Sequence, residues 1–158
     1  MKHIKIQNKF LSGVFKALSD ITVDKYKPKR GKGKLQNALT EKFKEFSKDL
    51  DDIRSDFFEK DKSGDGYKKG KDGKIVFLDK YKNDKEAQQK AEDETNALLE
   101  DYSVIELVEH ESQLKAFFKC LEEDEFTAAP DMQDMHFELL VEALEDAFKN
   151  TKKEEENA

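Results

Sequence analysis

Leu39, Phe43, Phe46, Leu50, Ile53 and Phe57 follow one another at alternating spacings of four and three residues. Such spacing keeps large side chains on one side of an α-helix, as in a heptad seam. The positions between them are charged (Glu41, Lys42, Lys44, Glu45, Lys48, Asp49, Asp51, Asp52), so this helix has one apolar stripe that needs a partner. A second helix over residues 79–99 offers Tyr81, Gln88, Ala91, Thr95 and Leu98 on a matching stripe, where Ala and Thr leave room for the Phe side chains. An antiparallel hairpin of long helices follows, joined by an insert over residues 61–77. Pairing of the seam with a second copy, a homodimer, is the other way to cover it.

The insert carries Asp61, Ser63, Asp65 and Gly66 at positions 1, 3, 5 and 6 of a calcium-binding EF-hand loop. Its second half departs from that pattern. Position 8 is Lys68 in place of an apolar residue, position 12 is Asp72 in place of a bidentate Glu, and Lys62, Lys68, Lys69 and Lys71 oppose the field a dication needs. Asp72-Gly73 followed by Lys74-Ile75-Val76-Phe77 reads as a turn and a short extended run, where an EF-hand resumes helix. The segment therefore reads as a polar connection. Asp61, Ser63, Asp65 and Asp72 are the chain's only metal candidates, and the expectation is that no metal or other cofactor is bound.

Ile4 and Ile6 alternate as in a strand, and Ser103-Val104-Ile105-Glu106-Leu107-Val108 is its expected partner. Phe10, Leu11, Val14, Phe15 and Leu18 then recur at helical spacing, predicting a helix over residues 8–20. Residues 25–34 hold six basic side chains with Tyr26, Pro28, Gly31 and Gly33, which predicts a loop that no helix crosses. Leu114, Phe117, Phe118 and Leu121 predict a short helix ended by Glu122, Glu123, Asp124 and Glu125. The last helix opens at Pro130-Asp131, with Asp131 as N-cap, and runs through Met135, Leu139, Leu140, Leu144 and Phe148. The fold class is mainly α (α+β): a long antiparallel helical hairpin, a small two-stranded β element and additional short helices. Residues 1–150 read as one mostly helical domain and residues 151–158 as a disordered charged tail.

Charged residues make up 41% of the chain and hydrophobic ones 36%, so the core is thin and the twelve Phe supply much of it. The single Cys120 excludes an intramolecular disulfide, and with Phe117, Phe118 and Leu121 around it reads as a small buried hydrophobe. With no secretory leader and no apolar run near eighteen residues, a soluble intracellular protein with no membrane partner is expected. His3, His110 and His136 lie at no metal-ligand spacing, and His136 reads as a solvated residue among carboxylates. Neither a phosphate-binding glycine loop nor a nucleophile elbow is present, so no catalytic residue is assigned and the chain reads as a non-enzyme.

Charge is distributed unevenly. Residues 1–80 hold 21 Lys and Arg against 13 Asp and Glu, net +8, and residues 81–158 hold 8 against 23, net −15. Two surfaces follow. The acidic one joins the run Glu122, Glu123, Asp124 and Glu125 to a stripe on the last helix, Asp134, Glu138, Glu142 and Glu145; it suits a basic groove on a partner protein. The basic one is Lys25, Lys27, Lys29, Arg30, Lys32 and Lys34, with Tyr26 available for stacking, and it suits nucleic acid. The overall negative charge and the lack of a basic face on a regular element weigh against nucleic acid.

Ile6-Gln7-Asn8-Lys9 stands before a helix ending Ala17-Leu18, Lys34-Leu35-Gln36-Asn37-Ala38-Leu39 opens a long helix, and a Gly/Asp insert follows Phe58-Glu59-Lys60. A Glu-rich second helix and Tyr102-Ser103-Val104-Ile105-Glu106-Leu107 come next. In these segments, from Ile4 to about Val108, the chain resembles a family of small proteins, a domain of unknown function, encoded by tailed phages and prophages of low-GC Gram-positive bacteria. The resemblance implies no catalytic residues. With the acidic C-terminal half, the expected function is that of a phage or prophage accessory protein in the host cytoplasm, binding and inhibiting or modulating a host or anti-phage defence factor. The alternatives are a tail or baseplate structural or assembly protein, and a nucleic-acid-binding factor working through residues 25–34.

Overall fold

A computed structural model describes residues 3–64, 66–107 and 109–150. Asp65 of the calcium-like loop, Val108 of the expected second strand and the tail over residues 151–158 lie outside the described residues. The fold is mainly α with a small β component, and the chain divides into two compact units, Met1–Phe43 with Tyr102–Ala158, and Lys44–Asp101.

The first unit is built on apolar periodicity. Strand β1 (His3–Gln7) pairs antiparallel with β3 (Tyr102–Glu106), in register from His3 opposite Glu106 to Gln7 opposite Tyr102, as the sequence predicts. Ile4 and Ile6 turn inward and Lys5 outward, the alternation a half-buried strand requires. A single 3-10 turn, Asn8–Phe10, leads into helix α1 (Leu11–Asp20), whose Leu11, Val14, Ala17 and Leu18 are buried. Asn8 is buried too, and Ser103 Oγ donates to its Oδ1 at 2.6 Å, satisfying a polar group that would otherwise lose water for nothing. A second short pair, β2 (Ile21–Thr22) with β4 (Thr127–Ala128), was not legible in the sequence. Helices α4 (Glu111–Glu122) and α5 (Asp134–Glu145) complete the core with Leu114, Phe117, Leu140 and Leu144. A π-turn, Asp146–Asn150, extends α5 and buries Ala147 and Phe148.

Helix α2 (Tyr26–Phe57) overturns the expected loop at residues 25–34. Pro28 sits in the first helical turn, where its missing N–H is one that has no intrahelical acceptor; the Lys29 N–H already donates to the Lys25 carbonyl at 3.1 Å. Gly31 is a packing residue: a Cβ there would overlap the Gln113 carbonyl at the start of α4, so α2 and α4 approach backbone to backbone. The expected N-cap of the last helix is also displaced. Gln133 holds that position, while Asp131 lies 3.5 Å from Lys16 Nζ. His136 is half-buried with its ring against Gly13 of α1, where a Cβ would collide with it, so it is not the solvated residue expected.

The seam that opened the sequence reading is divided. Leu39 and Phe43 face Leu11 and Phe15 of α1 across an apolar groove of about 320 Å³. Residues from Phe46 onward belong to the second unit, where Phe57 is buried and Leu50 and Ile53 are half-buried.

In the second unit the connection after α2 is more ordered than a polar turn. Segments around residues 58–60, 67–69 and 75–77 bridge pairwise, Phe58 with Phe77, Lys60 with Tyr67 and Lys69 with Ile75, so each segment pairs with both others. Backbone hydrogen bonds from Glu59 N to Val76 O (2.8 Å), Lys68 N to Glu59 O (2.9 Å) and Val76 N to Lys68 O (2.9 Å) close this ring of segments. The Phe58 and Phe77 rings stack at 4.5 Å. A 3-10 turn, Asp79–Tyr81, then precedes helix α3 (Lys85–Glu100), which begins later than expected because Asp84 caps it, accepting from the Ala87 N–H at 3.1 Å.

Candidate functional site

The acidic run and the basic segment, read from sequence as separate surfaces, come together in the first unit. Lys25 Nζ donates to Glu125 Oε2 at 3.1 Å, and that hydrogen bond holds the Lys25 ammonium above its ordinary pKa. Lys149 pairs with Glu122, which raises the Lys149 pKa in the same way, and Lys119 lies 3.9 Å from Glu123. Asp124 is exposed in the left-handed region, φ 54°, which turns the chain out of α4. Three of the four carboxylates proposed for a partner are therefore already faced by lysines of the same chain.

Around them lies an open groove of about 990 Å³, with Lys27, Glu122 and Glu123 on its walls. Phe118 and Phe148 stack at 5.8 Å, both line the groove, and Lys149 Nζ lies 5.7 Å from the Phe118 ring centre. Sequence reasoning missed Lys115, Lys119 and Lys149 here. The signal for Lys115 and Lys119 was the charged stripe Glu111, Lys115, Lys119 and Glu123 at successive i,i+4 positions.

The stripe on α5 is different. Asp134, Glu138 and Glu142 are exposed and make no ion pair among the described residues, and Glu145 is half-buried. Asp134, Glu138 and Glu142 recur every four residues, about 6 Å of helix rise apart, a regular row of uncompensated charge.

The basic segment keeps less of its charge for a ligand. Besides Lys25, Arg30 donates to Tyr26 Oη at 2.9 Å and lies over its ring, and Lys32 and Lys34 are half-buried. Burial, then the charge of Lys29, lowers the Lys32 pKa. Lys27 and Lys29 remain exposed.

The residues of the calcium-like loop serve its turns. Asp61 Oδ1 accepts the Lys62 N–H at 2.7 Å and Asp72 Oδ1 accepts the Lys74 N–H at 3.1 Å, in two turns separated by the segment over residues 67–69. Ser63 is exposed in the first of them. Among the described residues no three His, Cys, Asp or Glu side chains gather as metal ligands would. Cys120 is buried, and desolvation pushes its thiol up from the ordinary value, away from the thiolate that nucleophilic chemistry uses. No helix among the described residues is long and apolar enough to cross a membrane.

Residues 2–155 match the family described as "Protein of unknown function (DUF1617)". That span includes α4 and α5, beyond the end of the phage-like resemblance near Val108. No curated protein and no solved structure matches the chain.

Proposed function

We propose that this chain, which belongs to the DUF1617 family of proteins of unknown function, is a phage or prophage accessory protein that acts without catalysis, by binding a basic surface on another protein in the host cytoplasm. The observation that carries the reading is the row Asp134, Glu138 and Glu142, exposed along α5 without ion partners among the described residues. Like charges at i,i+4 cost a helix a few tenths of a kcal/mol each, so the row weakens α5 in isolation, and a cationic partner would relieve that repulsion. A host or defence factor that works on nucleic acid presents such a surface, and a row of carboxylates about 6 Å apart is a passable mimic of a phosphate backbone. The run from Glu122 to Glu125 is secondary, because its own lysines compete with any partner.

The test is affinity purification of the tagged chain from a host expressing it, with the captured protein identified and its binding then measured with purified components. Reversing Asp134, Glu138 and Glu142 to Lys should weaken that binding by about tenfold or more at low salt, since close charge pairs across an interface couple by about 1.5 kcal/mol or more. Unchanged affinity sinks the stripe as the contact surface. Recovery of the chain in purified virions would favour a structural or assembly role instead.

A further inference from the structure

We infer that the outer edge of β3 is an interaction surface for a second copy of this chain, the two β3 strands pairing antiparallel about a two-fold axis. Two sheets of two strands then join into one of four. The inference rests on neither the α5 stripe nor the basic segment of α2.

The two strands of the β1–β3 sheet are covered differently. Helix α5 and the π-turn after it pack against β1. Among the described residues no strand pairs with β3 other than β1. An edge strand presents unpaired N–H and C=O groups, and proteins commonly blunt such edges with Pro, Lys or a bulge. β3 has none of these: Tyr102-Ser103-Val104-Ile105-Glu106 runs opposite β1 in unbroken register. Its aromatic and β-branched side chains favour pairing. Tyr102, 53% exposed, and Val104, 36% exposed, stand with Glu106 on the outer face of the sheet, beside the exposed Lys5 of β1. A sheet of two strands is marginal by itself and gains from extension.

The occupant is a second copy because the strand complements itself. With the two-fold axis at Val104, Tyr102 stands opposite Glu106 of the copy, Ser103 opposite Ile105, and Val104 opposite Val104. The central row of the outer face then reads Lys5, Val104, Val104, Lys5, and the rows on either side read Gln7, Tyr102, Glu106, His3. No like charges become neighbours. The two Lys5 are separated by the valines, and the two Glu106 lie about 13 Å apart along the strands. Each Tyr102 hydroxyl can donate to the opposing Glu106 carboxylate, and the paired valines close the centre. A two-fold interface requires a patch that matches itself in this way. Sliding the strands by two residues shortens the pairing and loses the match of Tyr102 with Glu106, so one register is favoured. Strands of five residues are about 17 Å long, which keeps the interface below the roughly 1,200 Å² of a standard complex and makes the dimer weak.

The experiment is sedimentation velocity of the full chain from about 5 μM to about 500 μM, the range in which an interface below standard size associates. Salt at about 0.15 M screens the net charge of −7 beyond roughly 8 Å. The sedimentation coefficient should rise with concentration from monomer to dimer and stop there. Val104→Glu sets two carboxylates face to face at the axis and should weaken dimerisation by about tenfold or more. Within one chain the new carboxylate faces Lys5 across the β1–β3 pair, so the circular dichroism spectrum should not change. If it does change, an exchange of charge decides. Tyr102→Glu should weaken the dimer by about tenfold or more, and adding Glu106→Lys should restore it to within about threefold, a rescue that a damaged fold cannot give. Under mild oxidation Val104→Cys should cross-link two copies, and Lys5→Cys, one strand further from the axis, should not. A chain that stays monomeric, growth beyond the dimer, failure of the exchange to rescue, or cross-linking through Lys5→Cys in place of Val104→Cys overturns the assignment.

Discussion

The two units reach order by different means. In the unit made of residues 1–43 and 102–158, Ile4, Leu11, Val14, Leu18, Ile21, Leu35, Phe117, Leu140 and Leu144 are fully buried, each contributing roughly 1.5–3 kcal/mol of hydrophobic stabilisation. Between Lys44 and Asp101, Phe57 and Ala91 are the buried hydrophobic side chains among the described residues. What that unit has instead is directional: the bonded segments over residues 58–78, the Phe57–Tyr81 ring contact at 5.7 Å, and Gln88 Nε2 donating to the Tyr81 and Lys82 carbonyls at 3.0 Å each. Apolar burial is summed over area and tolerates local error, whereas a hydrogen bond is worth about 1 kcal/mol net and is lost as a whole when one partner moves. The second unit should therefore open locally while the first is intact.

The largest test of that contrast is truncation of one Phe in each unit. Phe117→Ala should cost about 3–5 kcal/mol in urea unfolding, since it leaves a closed cavity. Phe77→Ala, at a half-buried ring, should cost roughly half as much and leave Phe117-dependent unfolding in place. Equal losses would mean that the second unit has a core as tight as the first. Next in size is a pair of glycines on α2. Gly31→Ala should destabilise by about 1–3 kcal/mol, because the added methyl meets the Gln113 backbone and not a movable side chain tip. Gly33→Ala, with nothing within 4 Å, should stabilise by up to about 1 kcal/mol through helix propensity alone. Amide exchange supplies a third comparison: the hydrogen-bonded N–H groups of Lys68 and Val76 should exchange through local opening, faster than those of α1 and α5, and equal protection would erase the distinction.

This contrast also explains what the sequence made legible. Where burial dominates, periodicity carries the message: Ile4 and Ile6 predicted β1 and its partner β3, and Leu11, Val14 and Leu18 predicted α1. Local composition misled at residues 25–34, since Pro and Gly break helices on average, yet Pro28 falls in the one turn that needs no N–H and Gly31 serves a crossing with α4 that only the fold creates. Of the bonded segments over residues 58–78, the turn at Asp72-Gly73 and the extended run after it were legible, and the pairing of the three segments was hidden because isolated bridges of one residue each have no alternation to read. The candidate surfaces were half legible. Side-chain types located the α5 stripe, but the compensation of Glu122, Glu123 and Glu125 by Lys149, Lys119 and Lys25 depends on contacts across up to a hundred residues of chain.

The smallest expected effect isolates one directional contact of the second unit by pH. Tyr67 Oη lies 2.7 Å from Asp51 Oδ1 and 3.0 Å from the Asp51 carbonyl, and its single proton serves one acceptor at a time. Desolvation first, then the hydrogen bond to Asp51, pushes the phenol pKa up to about 12. In the unfolded chain the same phenol ionises near pH 10, so between about 10 and about 12 the unfolded state sheds a proton that the native state keeps. Stability from this group is complete below pH 10 and falls as pH rises, by at most about 1.4 kcal/mol per pH unit. Tyr67→Phe should cost about 1 kcal/mol at neutral pH and remove that fall, so the variant gains on the parent as pH rises from about 10 toward about 12. Phenolate absorbance checks the assignment directly: Tyr67 should titrate late in the native protein, and that late step should vanish in the Phe variant. If the late step persists, Tyr67 is not the group held neutral, and the hydrogen bond to Asp51 contributes less to the second unit than its geometry implies.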